Sequence, residues 1–117
     1  MAKYDANLSL IFHALSDPTR RAMLAQMDPG GIAVSDLARP TGLRLPTILR
    51  HLSVLEEAQL ITTTKQGRTR KCRPVPATVA HAKSWLDTRR LEWEAQLDRL
   101  ETFLETLEDD DDPEPRD

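Results

Sequence analysis

Cysteine is almost absent from this chain of 117 residues: Cys72 stands alone. No internal disulfide can form, and no cysteine pair offers metal-ligand spacing. Aromatic residues make up 4% of the chain. A core that poor in large side chains, beside a high content of charge, suits a small helical domain completed by a second copy of itself. No apolar run approaches membrane-spanning length, and the opening MAKYDANLSL lacks the apolar stretch of a secretory signal. A soluble, cytoplasmic protein is expected. Also lacking are a Gly-rich phosphate loop, a nucleophile motif and a clustered acid–base pair. The chain is therefore not expected to be an enzyme or to carry a cofactor.

What the chain does have is polarised charge. Residues 1–86 carry twelve Lys or Arg against six Asp or Glu, and residues 87–117 carry four against thirteen. Between Pro40 and Arg73 seven basic residues face only Glu56 and Glu57, although the formal net charge of the whole is -3. A polyanion is the natural partner for such a segment, because each phosphate neutralised by Lys or Arg releases condensed counterions. The end of the chain, DDDDPEPRD, is acidic with nothing to bury. It is expected to be a disordered tail over residues 109–117, leaving one domain over residues 1–108.

Apolar spacing orders that domain. Leu8, Ile11, Phe12 and Leu15 follow the i, i+3, i+4, i+7 rule and predict a helix over residues 5–15. Asp17 and Pro18 then read as the cap and first turn of a second helix reaching about Met27, followed by a turn at Asp28-Pro29-Gly30-Gly31. Ser35 reads as the cap of a short third helix ended by Pro40. After Thr41-Gly42, Pro46 opens a fourth helix with Ile48, Leu49, Leu52 and Leu55 on its apolar side. Two helices joined by a tight Gly-containing turn make a helix-turn-helix unit.

Ile61–Lys65 and Thr69–Arg73, separated by Gln66, Gly67 and Arg68, read as a β-hairpin. From Pro76 onward Val79, Leu86, Trp93, Leu97, Leu100, Leu104 and Leu107 recur at intervals of sevens, fours and threes, which predicts a long helix with a coiled-coil-like seam. The fold class expected is mostly α with a small β-hairpin: a winged helix-turn-helix with long terminal helices, working as a homodimer.

HALSDPTRRAML at residues 13–24, HLSVLEEAQLI at 51–61 and KQGRTRK at 65–71 resemble the ArsR/SmtB family of dimeric bacterial transcriptional regulators. The resemblance implies a repressor that binds double-stranded operator DNA with an inverted repeat. It maps DNA contacts of the fourth helix onto Arg44, Leu45, Thr47, Leu49, Arg50 and His51, and the cations of the hairpin, Lys65, Arg68, Arg70 and Lys71, suit phosphates or the minor groove. His51 could instead pack or cap. The dimer interface is expected from Leu8, Ile11 and Phe12 of the first helix and Leu86, Trp93, Leu97, Leu100 and Leu104 of the last.

The chain also departs from that family. Many relatives have Gln and Ser at the positions of Leu45 and Leu49, and apolar side chains there leave contact with a thymine methyl as one use. Gln59 stands where a Gly is usual, at a position expected to need left-handed backbone. The segment that holds paired cysteines in metal-responsive relatives reads Ala33-Val34-Ser35-Asp36-Leu37, and His81 and Asp87 are six residues apart, off a common helix face. No metal site is expected. Cys72 reads as a small buried side chain of the return strand rather than a reactive thiol. The competing reading is a winged-helix protein-interaction module that has lost base readout; no small-molecule effector is indicated by the sequence.

Overall fold

Ala6–Leu15 forms the first helix, α1, and buries Leu8, Ile11 and Ala14. The protein's structure, a computed structural model, describes residues 6 to 111, with side-chain surroundings to Asp109. Pro18–Ala25 forms α2, two residues shorter than its apolar pattern predicts, because Gln26 closes it and Met27 turns inward. Asp17 caps α2: its Oδ2 accepts the backbone N–H of Arg20 at 3.0 Å. That bond holds the Asp17 carboxyl below the usual carboxylate range. The cap is therefore complete at neutral pH and is lost only as the pH falls through the lowered value.

The motif around Asp17 has a second task. Nε of Arg20 donates to the carbonyl of Ala14 at 2.8 Å, Nη2 donates to that of His13 at 3.0 Å, and Arg21 Nη1 donates to that of Leu15 at 2.7 Å. These are carbonyls in the last turn of α1, which have no partners within their own helix. A buried guanidinium thus closes α1 while its own backbone helps open α2.

Two residues, Ile32–Ala33, form a strand, β1, that sequence periodicity missed. Val34–Ala38 follows as α3, with Ala33 as its N-cap and no side-chain cap bond. Ser35 is therefore inside the helix, and its expected capping role is corrected. The reason is tertiary: pairing of Ala33 with Lys71 holds Ala33 extended, so the helix can start only at Val34. Gly31 makes the approach possible. Its φ is +93°, and a Cβ there would meet Arg73 Cγ at 2.9 Å and the Cys72 carbonyl oxygen at 3.1 Å.

A single 3₁₀ turn over Arg39–Thr41 and a left-handed Gly42 lead into α4, Leu45–Glu57, which buries Ile48, Leu52 and Leu55. Leu49, expected on the apolar side, is 39% exposed and is corrected to the solvent side. At the far end Leu60 N–H donates to the Leu55 carbonyl at 3.0 Å and Gln59 N–H to that of Glu56 at 2.9 Å. This is the double bond pattern of a Schellman cap, and Gln59 occupies its left-handed position with φ +63°. The expectation of left-handed backbone at a non-glycine is met. Left-handed backbone is unfavourable for an L side chain, so Gln59→Gly is expected to raise the unfolding free energy by about 0.5–1 kcal/mol. A urea midpoint unchanged or lowered by the substitution would contradict this.

Ile61–Gln66 (β2) and Thr69–Pro74 (β3) form the hairpin around Gly67 and Arg68, and the sheet order is β1-β3-β2, all antiparallel. Only Gly67 of the two loop residues has positive φ, as a type II′ turn requires. Cys72 lies on the central strand between Ile32 and Thr63 and is fully buried. Burial pushes its thiol up, with Glu56 adding to the effect and Arg70 opposing it. The reading as a packed, unreactive side chain stands.

Pro76–Asp111 is one helix, α5, of 36 residues. It continues through Asp111, three residues beyond the expected end of the domain at residue 108, and the remainder of the expected tail lies outside the described residues. The chain divides into two units, one closing at Ala82 and the other opening at Lys83. In the first, Thr78 and Ala82 are buried, and Thr78 Oγ1 donates to the Gln59 carbonyl. The core of that unit gathers Ile11, Met23, Leu37, Ile48, Leu55, Leu60, Ile61 and Cys72.

The second unit is the rest of α5. Its polar side carries ion pairs, Lys83 to Asp87 at 2.8 Å and Arg89 to Glu92 at 3.2 Å, with Arg89 also 4.9 Å from the Trp85 ring centre. The Lys83 ammonium holds the Asp87 carboxyl below the usual carboxylate range.

Candidate nucleic-acid interface

The solvent side of α4 follows from its burial. With Ile48, Leu52 and Leu55 turned inward, Arg50 is exposed, Thr47 half-buried, and Arg44 sits at the N-cap with its side chain in solvent. Leu45 is 57% exposed. α4 is tied to the hairpin by Thr63 Oγ1, which donates to Glu56 Oε2 at 3.0 Å. The helix and the wing therefore belong to one packed unit.

His51 lies differently from the other expected contacts. It is half-buried, and its Nδ1 is 3.2 Å from Nη1 of Arg20. A guanidinium has no acceptor, so Nδ1 must accept and the ring proton must reside on Nε2. His51 joins α4 to the α1–α2 corner; sequence reading, which had weighed a packing role, could not identify Arg20 as its partner. Arg20 itself is the functional-support residue that sequence reasoning missed. Its signal was available only as part of the DPTRR motif.

The hairpin register sorts the wing cations. Lys65 faces Arg70 directly across the strands, and Thr64 faces Lys71. Lys65 and Arg70 therefore share the side of the sheet that carries Cys72, while Lys71 is on the opposite side with Arg73, whose Nη1 donates to Thr64 Oγ1 at 3.1 Å. Arg68 is at the tip. Like charges opposite each other destabilise a strand pair, so Lys65 and Arg70 are placed at a cost that a bound polyanion would remove.

The cations of α4 and the wing carry no counter-charge from the described residues of this chain. Among the described residues, Arg44, Arg50, Lys65, Arg68, Arg70 and Lys71 have no ion-pair partner, as is also true of Arg21, Arg73 and Arg99, while Arg39, Lys83, Arg89 and Arg90 are paired with carboxylates. The described residues also hold no group of three or more His, Cys, Asp or Glu able to share a metal ion.

A model of a helix-turn-helix domain matches residues 15–64. The HTH-type transcriptional regulator Rv2034 of Mycobacterium tuberculosis is 36% identical over 89 residues, 74% of this chain and 83% of that protein. A crystal structure of an ArsR family transcriptional regulator superposes with a TM-score of 0.74 at 40% identity, covering 80% of this chain and 97% of that one. The chain belongs to the ArsR family of transcriptional regulators. An ArsR-like transcriptional regulator from Rhodococcus sp. RHA1 superposes equally well, at a TM-score of 0.74 and 28% identity over 84% of this chain and 92% of its own. For this ArsR regulator, DNA binding through the helix-turn-helix is thus established at the level of the family, a family of non-enzymatic proteins. No described helix is long and apolar enough to cross a membrane.

The expected dimer residues divide. Ile11 has no accessible surface within its own protomer and Leu8 has 9%. Both are core residues of their own protomer, with little or no surface to offer a partner. Phe12 is 37% exposed. In the second unit Leu86, Trp93, Leu97, Leu100 and Leu104 are each at least half exposed, and Leu91 and Phe103, which the heptad pattern omits, are exposed as well.

Proposed function

We propose that this ArsR regulator is a homodimeric repressor that binds an inverted-repeat operator, with α4 in the major groove and the wing on the flanking backbone. The observation that carries the reading is the set of unpaired cations on α4 and the β2–β3 wing, in a chain whose net charge is negative. The dimer reading is supported by the uncovered apolar seam of α5, which a second copy would cover symmetrically. Repression is supported by kinship: the transcriptional repressor SdpR of Bacillus subtilis is 34% identical over 58 residues. Metal does not serve as the signal in this reading, because the one thiol is buried within the sheet and the α3 segment offers none. A cytoplasmic site of action goes with the operator.

DNA affinity measured against salt tests the assignment. Wild-type binding is expected to fall steeply with salt. Arg50→Ala is expected to lower affinity for the selected sequence by about 1–3 kcal/mol and to relax preference at one base pair. Arg68→Ala is expected to weaken all sequences alike and make the log–log salt slope shallower by about one unit. Weak binding with a flat salt response, unchanged in both variants, would favour the protein-interaction module instead.

A further inference from the structure

Leu45 and Leu49 are the feature of α4 that a phosphate-binding surface does not explain. They are 57% and 39% exposed, although Ile48, Leu52 and Leu55 already supply the helix with its buried side. Being four residues apart, they stand one above the other on one side of α4, separated by about 6 Å along its axis. That spacing is close to two base-pair steps of about 3.4 Å. Both fall within the first five residues of α4, the end of a recognition helix that meets base edges. The unpaired Arg44 and Arg50 bracket them in sequence.

We propose that Leu45 and Leu49 read the C5-methyl groups of thymines in the major groove, so that this regulator selects its operator partly by apolar contact. Leucine has no donor or acceptor and cannot follow a hydrogen-bond code. Thymine is the one standard base that presents an apolar group in the major groove. The cations beside the leucines, Arg44 and Arg50, anchor the helix in the groove by their own contacts to DNA, and the groove then covers the apolar pair. A protein partner for the same surface would have to combine an apolar centre with acidic flanks. DNA supplies both from one molecule.

The inference rests on the DNA-binding reading, and its test separates the two. Duplexes enriched from a random-sequence pool by the full chain are remade with deoxyuridine in place of thymine, one position at a time. Deoxyuridine keeps the hydrogen-bonding groups of thymine and removes only the methyl. Affinity is expected to fall about three- to fivefold at one or two thymines in each half-site. Leu45→Ala should abolish the penalty at one of them and Leu49→Ala at the other. Arg50→Ala should lower affinity throughout and leave both penalties in place. Selected duplexes that show no deoxyuridine penalty, or penalties that persist in both leucine variants, would overturn the leucine assignment while leaving DNA binding intact. Failure to enrich any duplex would overturn both.

Discussion

Leu97→Asp is expected to convert the regulator to a monomer and to remove tight operator binding with it. Leu97 is 64% exposed on the protomer, so a carboxylate there costs the isolated chain little. In a symmetric seam the same change appears twice, each time placing an unpaired charge among leucines from the partner, where burial without a counter-charge is expensive. A loss of at least about 3 kcal/mol, a hundredfold or more in the dissociation constant, is expected for the dimer. Operator affinity then falls by about two to four orders of magnitude, because the second reading head no longer binds at the effective concentration set by the first. Trp93→Ala should act in the same direction but less strongly, since it removes a knob without adding a charge. Sedimentation and DNA binding check the two steps separately, with helix content as the control for folding. An intact Leu97→Asp dimer at micromolar concentration would place the interface elsewhere.

Arg20→Ala is expected to be the most damaging single change within the first unit. It removes donors from the carbonyls of His13 and Ala14 and from Nδ1 of His51, at 3.0, 2.8 and 3.2 Å; the His13 carbonyl keeps the hydroxyl and N–H of Ser16 as donors, so the loss falls on the buried Ala14 carbonyl and on His51. Hydrogen bonds from a charged donor contribute about 1.5–3 kcal/mol, and acceptors left unpaired add their own desolvation cost. A loss of about 2–4 kcal/mol is expected, equivalent to a fall in melting temperature of roughly 10–25 °C for a domain of this size. Arg20→Lys should recover part of it, because an ammonium can reach one carbonyl but cannot span the fork. A loss below about 0.5 kcal/mol, the range of ordinary surface changes, would show that the corner is held by something other than this guanidinium.

The same residue marks the boundary between what could be read from sequence and what could not. Local chemistry was sufficient wherever one residue type solves a problem for its own neighbours. Asp17 caps α2 and Pro18 begins it, and Gly67 turns the hairpin, whereas the left-handed Gln59 at the end of α4 was expected only from the resemblance to a family that usually has Gly there. Period and length were sufficient for the order of helices, for the two hairpin strands and for α5, because a buried stripe repeats over enough residues to be counted. The concentration of cations on α4 and the wing was legible too, since charge on a short helix and hairpin has little choice but to be exposed.

Contacts between distant segments decided the rest. β1 has only two residues, too few to alternate, and it exists because Ile32 and Ala33 meet Cys72 and Lys71 of β3. That pairing moved the start of α3 away from the serine that looked like its cap. Whether Leu49 or Ile11 faces core or solvent depended on which neighbours arrived, not on the side chain, which is why Leu49 proved exposed and Ile11 buried. Arg20 could be recognised as a cap for α1 only once the end of one helix and the beginning of the next were folded against His51 of a third. Sequence carries propensity and period along the chain; which side of each element is consumed by the core is a property of three-dimensional packing, and it is that choice which left the leucines and cations of α4 facing outward.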